Sequence, residues 1–144
     1  MKRDFSLTLS EKAKLKSQGI KQKALLGYGV NDLCDIFGTS PFRAREILAL
    51  TEFLSVPYVG IAFAQDLLSL GYFSLEELKN RNGSDLFNDL EQITQIRMDP
   101  CVEDQFRMVV YYTNHPKSKR TWWDFTAERK KFRAENGYPA NRPG

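Results

Sequence analysis

Residues 29–36 and 71–78, 42 positions apart, follow one pattern: a glycine, an apolar residue, a capping residue and a short amphipathic turn of helix. The first copy reads Gly29-Val30-Asn31-Asp32-Leu33-Cys34-Asp35-Ile36 and the second Gly71-Tyr72-Phe73-Ser74-Leu75-Glu76-Glu77-Leu78. Upstream, allowing one gap, Gly19-Ile20 answers to Gly60-Ile61 and Leu25-Leu26 to Leu67-Leu68. The chain therefore reads as two related helical units. Two copies are too few for a solenoid, so they are expected to close into a compact pseudo-symmetric bundle.

Local helix-start signals set the fold class. Thr8 with Glu11 and Ser74 with Glu77 have capping-box spacing, while Ser40-Pro41 and Asp99-Pro100 each put a capping side chain before a first-turn proline. Gly19, Gly29, Gly60, Gly71 and Gly83 fall between segments, where turns close, and alternating apolar and polar runs are scarce. The expected fold is all-α, a compact bundle of about nine short helices. Val102, Phe106, Val109 and Val110 mark the buried face of the helix after Pro100, and Ala44, Ile47 and Leu48 that of the helix after Pro41. At 144 residues, with 42% apolar and 27% charged side chains, the chain has the size and composition of one globular domain. We expect a single helical domain at 1–135, composed of a first unit at 8–50, a second at 51–95 and closing helices at 96–135, then a flexible tail at 136–144.

The net charge of +3 conceals a division along the chain. Residues 1–27 carry seven basic and two acidic groups, residues 28–114 six basic and thirteen acidic, and residues 115–144 eight basic and three acidic. Two basic ends thus flank an acidic middle, a distribution that points toward a polyanionic partner or, more plainly, toward solubility. The most apolar stretch, Phe53 to Ala64, is broken by Ser55, Pro57, Tyr58 and Gly60 and is far shorter than the roughly 20 residues that cross a bilayer. The amino-terminal segment lacks the apolar core of a secretion leader, and two cysteines, Cys34 and Cys101, do not make a disulfide framework. A reducing cytoplasm, without membrane attachment, is the expected setting.

Residues 56–72, Val-Pro-Tyr-Val-Gly-Ile-Ala-Phe-Ala and onward to the leucines closed by Gly71, resemble a helix-hairpin-helix motif. Such a motif turns unpaired backbone amides at a helix start toward a DNA phosphate and reads no base. Gly60 and Ala64 keep the pattern, and Gly60 is expected to need a positive φ; Tyr58 stands at the first glycine position and Ala62 where a cation often helps. In the other copy Gly19 is read as the second glycine, Ser17 replaces the first, and Lys21 and Lys23 follow. If either copy holds phosphate, it is this one. Further on come Asp99-Pro100-Cys101-Val102, Phe106-Arg107, Val110-Tyr111-Tyr112 and Trp122-Trp123. From Val56 to about Phe125 the chain resembles the small bacterial helix-hairpin-helix proteins of the pathogenicity-locus family, and more weakly the carboxy-terminal domain of competence regulators. The first resemblance implies an all-helical fold and an association with DNA, and no particular reaction.

A few other residues have the types that chemistry uses. Cys101, at the second position of a predicted helix, is a candidate reactive thiol because the helix start favours thiolate; the plain alternative is a small packing residue. His115 is the sole histidine and sits beside Pro116, too far along the chain to serve as its base. Two cysteines and one histidine without close-spaced pairs make no zinc site. Asp85 and Asp89 share a helix face, as any solvated surface would, and Gly27-Tyr28-Gly29 lacks the context of a nucleotide fingerprint. Lys117-Ser118-Lys119-Arg120-Thr121-Trp122-Trp123 interleaves cations with aromatics, the combination that stacks and neutralises single strands; the alternative is that the tryptophans plug a groove, one buried and one partly exposed. No catalytic residues, metal ligands or cofactor are assigned. The first expectation is weak, sequence-independent contact with DNA backbone by Gly19, Lys21, Lys23, Gly60, Lys117, Lys119 and Arg120. The second is a protein-interaction module that binds no DNA.

Overall fold

The computed structural model describes residues 3–144; Lys2, counted above among the basic groups, lies outside them. All regular structure among the described residues is helical. The α-helices are α1 (Leu9–Ser17), α2 (Val30–Phe37), α3 (Pro41–Leu54), α4 (Ile61–Ser69), α5 (Gly83–Thr94), α6 (Pro100–Asn114) and α7 (Thr126–Asn136). Three 3₁₀ segments, Gln22–Gly27, Glu76–Leu78 and Trp122–Phe125, complete the order. The expected count of about nine helices is thus corrected to seven α-helices among the described residues, because two of the short amphipathic stretches, around Leu25 and Leu78, form only 3₁₀ turns.

The helix starts lie where their caps place them. Thr8 Oγ1 accepts from Glu11 N while Glu11 Oε1 accepts from Thr8 N, at 3.1 and 2.9 Å. Ser40 Oγ accepts from Arg43 N ahead of Pro41, and Asp99 Oδ1 from Cys101 N across Pro100. Ser74 and Glu77 also bond reciprocally, but the helix they begin lasts three residues.

Two apolar clusters form the interior. Leu7, Leu15, Leu25, Leu33, Phe37, Ala44 and Ile47 make the smaller. The larger gathers Phe53, Phe63, Leu67, Leu78, Phe87, Leu90, Phe106 and Phe125 among others. Helix α3 belongs to both: Ala44 and Ile47 face the first cluster, Ala49, Leu50 and Phe53 the second. Arg43 ties the amino-terminal segment to this spine. It clasps both carboxylate oxygens of Glu11, at 2.7 and 2.9 Å, reaches Glu46 at 3.0 Å, and donates to the carbonyls of Phe5 and Ser6. Its guanidinium holds the Glu11 carboxyl below the usual carboxylate range. Since the folded value is the lower one, this carboxylate stabilises the fold above its unfolded range and stops doing so as pH falls through the folded one.

Helices α5 and α6 meet tightly at Gly83. A Cβ there would sit 2.7 Å from Arg107 Cγ and 2.8 Å from Arg107 N. Backbone cannot retreat as a flexible side chain can, so Gly83→Ala should destabilise by about 1–3 kcal/mol. Chemical unfolding checks this; an unchanged midpoint would mean that the crossing is looser than described.

The segment after α7, expected as a flexible tail, makes side-chain contacts with α5 and the residues that follow it. Arg142 forms a two-pronged pair with Glu91, at 2.8 and 3.1 Å. Gln92 donates to the Asn141 carbonyl and Arg97 to that of Pro143. Proline and glycine make the segment read as flexible, but a guanidinium aimed at a buried carboxylate outweighs the composition.

Candidate nucleic-acid interface

The two connections that resemble a hairpin share a backbone path, in a register two residues away from the match of Gly19 with Gly60 that the residue pattern suggests. Tyr58 has φ +68° and Gly19 φ +66°. Each is followed by a half-buried apolar residue, Val59 or Ile20, and then by an extended residue that starts the next helix: Gly60 (φ −95°) before α4, Lys21 (φ −83°) before the 3₁₀ segment Gln22–Gly27. Gly19 therefore corresponds to Tyr58 and Lys21 to Gly60. Gly60 is not the left-handed residue expected of it, and a Cβ there would meet nothing within 4 Å. The 42-residue match between Gly29 and Gly71 also fails in conformation: Gly29 starts α2 at φ −91°, whereas Gly71 closes α4 at φ +90°.

Tyr58 and Gly60 are exposed, and Gly60 brings no side chain with which to cap α4. Lys21 and Lys23 are set differently from the paired arginines described below: Lys21 is exposed and Lys23 lines a groove of about 330 Å³ with Gln22, Leu26, Thr51, Leu54 and Ser55. Lys23 thus stands beside the start of the 55–60 connection.

Much of the charge division is satisfied inside the molecule. Glu46, Glu91, Glu103 and Asp104, all from the acidic middle, are almost wholly buried. Each meets an arginine from a basic end: Glu46 with Arg3, Glu91 with Arg142, Glu103 with Arg133 and Asp104 with Arg129, at 2.6–2.9 Å. Arginine suits the task because its planar fork meets both carboxylate oxygens and stays charged when desolvated. Among the cations expected to face a partner, Arg120 is likewise engaged: it lies over Phe125 at 3.8 Å and Tyr111 at 4.8 Å, and reaches Glu128 at 3.3 Å. Lys117 and Lys119 remain exposed. The polyanion inference from charge therefore narrows to lysines.

The tryptophans divide unevenly. Trp122 is half-buried against the larger cluster, while Trp123 is 52% exposed and meets the ring of Tyr58, itself 56% exposed, edge to face at 5.5 Å. Neither indole is fully buried. The 116–121 segment thus leads directly to the 55–60 connection, a proximity across some 60 residues that no local pattern could signal.

Cys101 departs from the thiolate reading. Asp99, capping the same helix, accepts a hydrogen bond from the thiol and, together with partial burial, pushes its pKa up. The carboxylate that starts the helix cancels what the helix dipole would do. His115 ends α6 and stacks on Tyr111 with ring centres 4.1 Å apart.

The architecture defines an all-helical protein in which the 55–60 connection, Trp123 and the lysines at 117 and 119 are exposed. The chain belongs to the pathogenicity-locus family, whose model matches residues 46–131, more than half of its length. No curated protein and no solved structure matched it. Gly60, Tyr58, Cys101, Lys117, Lys119, Arg120 and Trp123 lie inside the matched span, and Gly19, Lys21 and Lys23 before it. No helix among the described residues is long and apolar enough to cross a membrane.

Proposed function

We propose that this protein binds DNA through its phosphate backbone, weakly, without reading sequence and without performing chemistry, by two degenerate helix-hairpin-helix units. The observation that carries the reading is the repeated backbone path, left-handed at Gly19 and Tyr58 and extended at Lys21 and Gly60, with both connections exposed. Unpaired amides at a helix start attract anions whatever base they belong to. Lys21 and Lys23 supply mobile positive charge beside one connection, and Lys117 and Lys119 precede the tryptophan that meets the other.

Binding of labelled duplexes across a salt series tests this. If Lys21 and Lys23 each neutralise one phosphate, changing both to Ala should flatten the slope of log affinity against log salt by about 1.8, at about 0.9 per duplex phosphate. The loss should be alike for every sequence. Absence of binding at low salt, or a wild-type slope in the double variant, would reject the reading. A protein-interaction module is the second reading, favoured by the groove at Leu26, which is 44% exposed, and Leu54. Absence of duplex binding at low salt would move the weight to it.

A further inference from the structure

We infer that Tyr58 and Trp123 form a stacking platform, so that the DNA this protein prefers is single-stranded. The inference rests on the backbone-binding reading and adds to it the kind of strand and the groups that grip its bases.

Three observations carry it. Tyr58 is a bulky residue held at φ +68°, a conformation that side chains rarely adopt and that glycine would take without strain. Strain of this kind persists where something is gained by the residue that bears it. Next, both rings are about half exposed, 56% for Tyr58 and 52% for Trp123, although they touch edge to face at 5.5 Å with 74° between their planes. Trp122 meets Trp123 nearly perpendicularly, at 5.3 Å and 89°, which braces the exposed indole from the buried side. An edge-to-face contact takes the edge of one ring and one face of the other, and with both residues about half exposed, ring surface remains open for a base to stack on. Finally, the segment that delivers Trp123 carries exposed Lys117 and Lys119, and the adjacent acid, Asp124, is turned back to accept from Thr121 N at 2.7 Å.

Single strands fit this chemistry better than duplex or protein. In duplex DNA the base faces are covered by their neighbours, so an exposed ring pair gains nothing there, whereas each unstacked base offers a face to an aromatic side chain. A protein hot spot of comparable composition would draw on a contiguous apolar patch, but beside these rings Ile61 of α4 is the sole large exposed apolar residue among the described residues of this connection.

The test compares oligo-dT of about 15 nucleotides, within the range of known single-strand site sizes, with a duplex of the same length at low salt. In a Trp122→Phe background Trp123 is the only tryptophan, and oligo-dT should quench it while duplex does so little. Trp123→Ala should weaken oligo-dT binding about tenfold and leave duplex affinity nearly unchanged, since stacking one base accounts for that much, and Tyr58→Gly should weaken oligo-dT binding by a similar factor, more than it weakens duplex binding. Tyr58→Gly also separates binding from folding: it relieves the left-handed strain, so its melting temperature should not fall while its affinity does. Wild-type oligo-dT affinity in both variants, or equal losses for single strand and duplex, would overturn the platform. With duplex binding intact, that failure leaves the backbone reading standing. If neither probe binds the wild-type protein at low salt, both fall together, and the exposed rings belong to a protein interface.

Discussion

Arg133→Ala should lower the stability of this protein by about 3–5 kcal/mol, more than most single substitutions of a surface-derived arginine. Arg133 is 9% exposed and Glu103 is wholly buried. The guanidinium donates to Glu103 Oε1 at 2.9 Å, to Asn88 Oδ1 at 2.9 Å and to the Gly137 carbonyl at 3.1 Å, and lies 4.1 Å from the Tyr138 ring centre. Removing it strands a carboxylate that retains the Ser84 hydroxyl at 2.9 Å and a distant Arg107 at 3.5 Å. The large loss measures the stranded charge rather than the net value of the pair. The double change Arg133→Met with Glu103→Met should therefore recover most of it, because apolar residues of similar volume often replace a buried pair at little cost. Chemical unfolding of Arg133→Ala, the double variant and the wild type decides the matter; a single variant within about 0.5 kcal/mol of wild type, the range of ordinary surface changes, would mean that the pair is not buried as described.

Ending the chain after Gly137 should cost about as much, roughly 3–5 kcal/mol. The seven residues removed include Tyr138, whose ring lies between the guanidinium groups of Arg133 and Arg142 at 4.1 and 3.8 Å, and Arg142 itself. Glu91, 1% exposed, would lose its cation and keep the Met98 amide at 2.8 Å. Arg142→Ala isolates the charge from the ring. Thermal unfolding of the shortened chain should show a clear fall; the behaviour of an inert tail, with no change, would refute the anchoring.

The parts of the fold legible in the residues are those decided locally. The Thr8, Ser40 and Asp99 caps depend on atoms two or three residues away, and all three start helices where expected. Ser74 and Glu77 are legible as a cap, but the length of the helix they open depends on how Leu78 fits the larger cluster, which is not a local matter. The candidate interface is half legible. Its lysines and tryptophans stand out by type, whereas the meeting of Tyr58 with Trp123 spans 65 positions and the pairing of Glu91 with Arg142 spans 51. Arg129, Arg133 and Arg142 read as free charge but are internal counterions, because residue type does not tell a solvated cation from a buried one. Tyr58 is visible in the sequence as a departure from glycine; that it keeps the glycine's backbone conformation is not.

Helix α3 sends its first half into one apolar cluster and its second half into the other, and the family match begins within it, at residue 46. The stretch that the family model matches therefore begins inside a helix that both clusters share. A fragment cut at residue 46 would lack Ser40, Pro41 and Ala44, and with them the cap and the first turn of its own central helix. The preceding residues act as the other half of a splint: fraying on either side loosens the helix on which both depend, and the segment carrying Lys21 and Lys23 is coupled mechanically to the connection carrying Tyr58 even if no ligand ever bridges them.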